Sequence, residues 1–255
     1  MSRHVRVGLI VPSSNTTMET EIPAMLRRRE ALDPATTFTF HSSRVRLKHV
    51  TREELAQMVA DSDRAAVELA DARVDVIGYA CLVALMVQGP GYFEQAEETL
   101  ARVASEHGAS APVVSSAGAL VRSLEAIGAT KIAVVAPYMK PITEQVVECI
   151  VEAGVEVVDY VSLEVPDNLE VGRLDPARLP EIAAGLDTSK ADAIVLSACV
   201  QMPSLPAIPE AERRFDLPVV TAATATTYEM LTRLGLDPTV PEAGYLLSGR
   251  LPALA

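Results

Sequence analysis

Two stretches of this chain are built alike. Asp75-Val76-Ile77-Gly78-Tyr79-Ala80-Cys81-Leu82-Val83 has a counterpart in Asp192-Ala193-Ile194-Val195-Leu196-Ser197-Ala198-Cys199-Val200. In each, a short apolar run ends in a small residue and then a cysteine. Runs of this length read as buried parallel strands. Each thiol therefore sits just past the carboxyl end of a strand, where open α/β sheets place their ligands. A chain with two such segments is constrained to two strand-and-helix units that share a cleft.

The order of elements around the two stretches repeats. Val5–Val11 reads as a strand, followed by the polar loop Pro12-Ser13-Ser14-Asn15-Thr16-Thr17 and a helix from Met18 to Arg28. Thr36–Ser42 is a strand. Thr51-Arg52-Glu53-Glu54 fits a capping box for a helix running to Asp71. After Cys81, Gln88-Gly89-Pro90-Gly91 breaks the chain before a helix over Tyr92–His107. Pro112-Val113-Val114-Ser115 is a strand, and Ala117–Ile127 a helix closed by Gly128. The second half runs in parallel: strands at Lys131–Ala136, Val155–Val161, Ala193–Ser197 and Pro218–Thr221, with a helix opened by Pro141 and a last one over Ala222–Leu234. Val7-Gly8-Leu9-Ile10-Val11-Pro12 matches Ile132-Ala133-Val134-Val135-Ala136-Pro137. With right-handed crossovers, this predicts an α/β protein of two pseudo-symmetric four-stranded parallel sheets with flanking helices, and an active site in the cleft between them. Residues 1–116 form the first half, joined by the C-terminal segment 223–255, and residues 117–222 form the second.

Composition narrows the classes. The 255 residues carry a net charge of -12, which argues against a nucleic-acid partner. The densest basic run, Arg27-Arg28-Arg29, reads as a solvent-facing helix end. No apolar run approaches the roughly 20 residues that span a bilayer, and no signal-peptide core precedes the first strand, so a cytoplasmic protein without membrane contact is expected. The three cysteines have no framework spacing and read as free thiols. There is no Cys-x-x-Cys, no His-Glu-x-x-His, no Gly-x-Gly-x-x-Gly and no P-loop, so neither a metal nor a nucleotide cofactor is expected.

Cys81 and Cys199 are the candidates for chemistry. A buried cysteine is often no more than a small hydrophobe, but a matched pair, one per half, points to function. A thiol near a helix N-terminus is expected to have a lowered pKa. Two thiols on opposite faces of a planar substrate can act as nucleophile or base and as acid. Cys149 lies mid-helix among aliphatics and reads as structural. Ser13, Ser14 and Asn15 after the first strand, and Tyr138 after its repeat partner, are sufficient as turn and cap residues and also serve as neutral donors. Asn168 follows a strand in a loop. Thiols, amides and hydroxyls of this kind suit a small carboxylate. Gln88–Gly91 reads as a helix break, or as a lid over Cys81. Met18, Met25 and Met58 read as core, and Glu21 as a first-turn carboxylate that favours the helix dipole.

The block Gly8-Leu9-Ile10-Val11-Pro12-Ser13-Ser14-Asn15-Thr16-Thr17-Met18-Glu19-Thr20-Glu21 closely resembles the N-terminal signature of bacterial maleate cis-trans isomerases. These belong to the aspartate/glutamate racemase superfamily, with arylmalonate decarboxylases and hydantoin racemases. The two strand-end cysteines, Pro137-Tyr138 and Pro166-Asp167-Asn168 match in the same order, and the resemblance covers essentially the whole chain.

The resemblance implies a cofactor-free interconversion of maleate and fumarate by a cytoplasmic homodimer, in bacteria that break down nicotinate. It implies that Cys81 adds to one alkene carbon, that Cys199 gives a proton to its neighbour, and that Asn15, Tyr138 and Asn168 bind the carboxylates of a small dicarboxylate substrate. Two alternatives stand beside it. One is a racemase or decarboxylase of the same superfamily, using the thiols for proton transfer without an adduct. The other is a non-catalytic module that binds small dicarboxylates.

Overall fold

The computed structural model describes residues 2–251. In chain order it contains β1 (Arg3–Pro12), α1 (Met18–Leu32), β2 (Thr36–Val45), α2 (Arg52–Asp71), β3 (Val76–Tyr79), α3 (Leu82–Met86), α4 (Tyr92–Glu106), β4 (Val113–Ser115) and α5 (Ser116–Ala126). There follow β5 (Lys131–Ala136), α6 (Lys140–Glu152), β6 (Glu156–Ser162), α7 (Asn168–Val171), α8 (Leu179–Ala183), β7 (Ala193–Ser197), α9 (Ile208–Phe215), β8 (Val219–Thr221) and α10 (Ala222–Arg233).

All strand pairings are parallel, in two four-stranded sheets ordered β2-β1-β3-β4 and β6-β5-β7-β8. The predicted architecture is the observed one. β3 and β7 are buried along their whole length, and β5 is buried after Lys131, as strands covered by helices on both faces must be. In each sheet the strand order reverses direction between the two central strands. The loops leaving those strands then diverge and open a crevice at the carboxyl edge. Cys81 lies at one such switch point, after β3 beside β1. Cys199 lies at the other, after β7 beside β5.

The helices α5 and α10 pack on each other between the halves. α5 also touches β8 of the second sheet, and α10 touches β3 and β4 of the first. This double crossing explains the weak amphipathicity of α10: every residue from Ala222 to Leu231 is buried. Gly78 on β3 admits the helix, since a Cβ there would stand 3.1 Å from the Met230 sulfur. A buried ion cluster braces the crossing. Arg122 on α5 pairs with Glu97 on α4 at 2.9 Å and with Glu229 on α10 at 3.0 Å.

Two expectations need correction. Of Arg27-Arg28-Arg29, only Arg27 faces solvent as expected. Arg29 is 7% exposed and donates to the Asp237 carbonyl, Arg28 donates to the Glu242 carbonyl, and Arg27 pairs with Glu30. Arg28 and Arg29 tether the segment after α10, whose carbonyls supply acceptors. The helix α3, directly after Cys81, was not expected, because Leu82–Met86 is an apolar run with no capping side chain. No helix among the described residues is long and apolar enough to cross a membrane, and no cluster of possible metal ligands occurs among them.

Candidate active site

The switch points of the two sheets face one another across a small cavity. Pro12, Asn15, Cys81, Leu82 and Val83 line it from the first half, and Tyr138, Asn168, Cys199, Val200 and Gln201 from the second. All five residues singled out from the sequence are therefore on one cavity wall or another. Cys149 is not; it is buried in α6.

Cys81 has φ +87° and ψ +78°, a left-handed conformation that a residue with a Cβ adopts only at a cost. The strain comes from the abrupt change of strand β3 into helix α3 within two residues. It presents the thiol at the mouth of the switch point. Cys199 is not among the residues with positive φ. Its turn is held by the Ser197 hydroxyl, which donates to the Cys199 carbonyl at 2.9 Å, and the Gln201 N–H lies 3.4 Å from its sulfur.

The pKa values run opposite to the lowered ones expected. Burial pushes the Cys81 thiol up to about 12, partly offset by an Ala84 N–H and reinforced by Cys199. Burial also raises Cys199, partly offset by the Tyr138 hydroxyl and the N–H groups of Gln201 and Met202. The α3 terminus does not compensate for removing a thiolate from water. Burial thus favours the neutral form of both thiols. Tyr138 is likewise raised well above its ordinary value by burial, and then by the two cysteines.

The amides have fixed orientations. Asn15 Oδ1 accepts from the N–H groups of Thr17 and Met18 at 3.0 and 2.9 Å, capping α1. Its acceptor is consumed there, so its remaining function is to donate from Nδ2. Asn168 opens α7 and donates from Nδ2 to the Ser14 hydroxyl at 2.7 Å. Ser14 in turn donates to the Leu47 carbonyl at 2.5 Å. The cavity thus holds neutral donors and no lysine or arginine.

Leu47 and Val50 close the cavity from the segment between β2 and α2. Gln88–Gly91 does not line it. The capping box expected at Thr51 is half formed. Thr51 accepts from the Glu54 N–H, but the Glu54 carboxylate reaches back to the N–H groups of Lys48 and His49 at 2.6 and 2.9 Å. His49 also forms an antiparallel bridge with Asp167 of the second half. The covering segment is therefore latched to both sides. What remains inside is about 10 Å³, roughly the room of one water.

A family model described as arylmalonate decarboxylase matches residues 7–247. The chain is 61% identical to a maleate isomerase of Geobacillus stearothermophilus, over 98% of this chain and all of that one. This chain belongs to the maleate isomerases. Among solved structures, a maleate isomerase of Pseudomonas putida with maleate superimposes with a TM-score of 0.96 at 57% identity, covering 98% of this chain and 99% of that one. The Nocardia farcinica maleate cis-trans isomerase, as a cysteine-to-serine mutant with a covalently bound succinylcysteine intermediate, gives 0.91 at 48% identity, covering 96% and 98%. Arylmalonate decarboxylase itself shares the fold at 20% identity.

Two buried polar residues at the site were not singled out from sequence. Gln201 bonds across the cleft. Glu21, read as a dipole-favouring carboxylate, instead accepts from the N–H groups of Ser204 and Leu205, both at 2.7 Å, and so holds the turn after Cys199. Burial raises its pKa despite these bonds.

Proposed function

We propose that the protein converts maleate to fumarate through a covalent cysteine adduct. The observation that carries this reading is the convergence of two thiols, one from each half, on a small buried cavity whose other polar groups are neutral. The identity to maleate isomerases over nearly the full chain supports the same substrate.

The chemistry balances without an added cofactor. Cys81 first gives its proton to solvent; its thiolate pair then forms a C–S bond to one alkene carbon, and the π pair moves toward the adjacent carbon and its carboxylate. The Cys199 thiol delivers its proton to that carbon and becomes a thiolate. The former double bond is now single and rotates. The Cys199 thiolate then removes a proton from the same carbon, the double bond reforms, and the C–S pair returns to Cys81. One difficult step is divided into easier ones. Asn15 and Asn168 bind the two carboxylates, with Tyr138 beside Cys199. Donors aimed at the carboxylate next to the carbanion-like centre strengthen as charge develops there. A nearby fixed cation would make the Cys81 thiolate a weaker nucleophile once formed, and no lysine or arginine lines the cavity.

In this reading residues 1–116, with 223–255, supply Cys81 and Asn15, and residues 117–222 supply Tyr138, Asn168 and Cys199. The family resemblance also supports a cytoplasmic homodimer that acts on maleate from nicotinate breakdown. Light scattering at working concentration tests the dimer. For the activity, maleate is incubated with the protein alone and fumarate is followed by proton NMR. Its formation is expected, with loss in Cys81→Ala. No fumarate from folded wild-type protein would refute the reading.

A further inference from the structure

We propose that Gln201 is a positioning residue, whose side-chain amide sets Asn15 and Asn168, and with them both substrate carboxylates, at a fixed distance from Cys199. The proposal rests on the isomerase reading and adds a residue to its machinery.

Gln201 is 1% exposed, so each polar atom of its amide needs a partner inside the protein. The partners all belong to the segments that carry the site. Oε1 accepts from the Thr16 N–H at 2.8 Å. Nε2 donates to the Ser14 carbonyl at 3.1 Å and to the Asn168 carbonyl at 2.8 Å. Ser14 and Thr16 flank Asn15, so the amide grips the backbone on both sides of that residue. The third bond ends on Asn168 itself. Through its own N–H, Gln201 also contacts the Cys199 sulfur. One side chain therefore ties a loop of the first half, a helix start of the second half and the acid thiol.

The duplicated architecture makes this residue conspicuous. Two positions beyond the cysteine the first half has Val83, and the second has Gln201. A buried amide is the costlier choice in such a place. A symmetric pair of thiols needs no such bond, whereas a site that holds two carboxylates at a set separation from one thiol does.

Gly172 provides an independent observation. Its φ of -68° and ψ of -10° are right-handed helical, so alanine would suit its backbone. Yet a Cβ there would lie 2.6 Å from Gln201 Nε2 and 2.8 Å from Thr16 Oγ1. The space at Gly172 is thus required by the Gln201 amide and the loop it grips, not by backbone conformation.

The test compares wild type with Gln201→Met, which keeps the volume and removes the three bonds, and with Gly172→Ala, which displaces an intact amide. Two readouts are taken. The first is kcat and KM for maleate. The second is the rate of thiol alkylation by iodoacetate relative to iodoacetamide, which senses carboxylate binding beside the thiols without turnover. We expect KM to rise at least tenfold in Gln201→Met and at least threefold in Gly172→Ala. The iodoacetate preference should fall at least threefold in both, with each variant still folded by circular dichroism. A merely structural role would lower the active fraction and leave KM and the reagent preference alone. Values within twofold of wild type in either folded variant overturn the proposal, and Gly172→Ala decides if Gln201→Met does not fold. A wild-type protein inert toward maleate refutes the isomerase reading by itself, and the reagent preference still decides the role of Gln201.

Discussion

The Tyr138 hydroxyl donates a 2.9 Å hydrogen bond to the carbonyl of Ala198, the residue before Cys199. Tyr138 leaves β5 and Ala198 leaves β7, the two central strands of the second sheet. The bond thus spans the switch point and fixes the strand end from which the thiol projects. Tyr138→Phe should lower kcat/KM at least tenfold. Loss of one buried bond should cost about 1 kcal/mol, or a few degrees in Tm. Steady-state assays and a thermal melt check both. Wild-type kcat/KM in the phenylalanine variant would show that the hydroxyl neither binds substrate nor orients Cys199.

The raised thiol of Cys81 predicts an alkaline pH profile. Only the thiolate is nucleophilic, and in the closed protein it forms near 12, against an ordinary 9.0. kcat/KM should climb with pH and show no plateau below about pH 8.5, where an unperturbed thiol is half ionised. The stability effect has the same origin. The folded pKa lies above the unfolded one, so this contribution is fully present below the unfolded pKa of about 9. It is lost as pH rises toward 12. Cys81→Ala should therefore flatten the alkaline fall in Tm. A plateau in kcat/KM from pH 6.5 upward would contradict the account.

The left-handed backbone at Cys81 predicts an inversion of the usual order of substitutions. At an ordinary buried position alanine is preferred over glycine. At φ +87° the glycine variant avoids the Cβ penalty. Cys81→Gly should be more stable than Cys81→Ala by roughly 1 kcal/mol, read from urea midpoints. Both should be inactive. An alanine variant of equal or greater stability would remove the argument for backbone strain.

The ion cluster between the halves predicts a large loss on removing its cation. Glu97 and Glu229 are 8% and 6% exposed and share Arg122. Arg122→Met leaves two buried carboxylates without that partner, although Arg233 still reaches Glu229. The cost should be about 3 kcal/mol in chemical denaturation. A change below about 0.5 kcal/mol would mean that water replaces the guanidinium freely.

The fold was legible because its signals are local. Each strand is a short apolar run, and its end is marked by a small residue, a proline or a cysteine, so the doubled order could be read directly. Cys81, Cys199, Asn15 and Tyr138 follow central strands, where topology alone puts ligand chemistry. What was hidden depends on partners distant in sequence. Gln201 and Glu21 are polar residues whose value comes from the atoms opposite them. Arg29 looked solvated because its acceptors lie after α10, more than 200 residues away. Gln88–Gly91 reads as a helix break or a lid; it lies off the cavity, which Leu47 and Val50 cover from a segment with no turn signature. The lowered thiol pKa failed because the short helix was weighed without the desolvation that surrounds it.

The central claim is that Cys81 is the atom that bonds to the substrate and Cys199 the one that moves the proton. The most direct measurement is peptide mapping by mass spectrometry after Cys199→Ser protein is incubated with maleate. In that variant a solvent proton completes the succinyl adduct, and without the Cys199 thiolate to remove it again the adduct should persist, with its mass on the peptide that contains Cys81. An adduct found on Cys149 alone, or no adduct at all while the wild-type protein makes fumarate, would contradict the account.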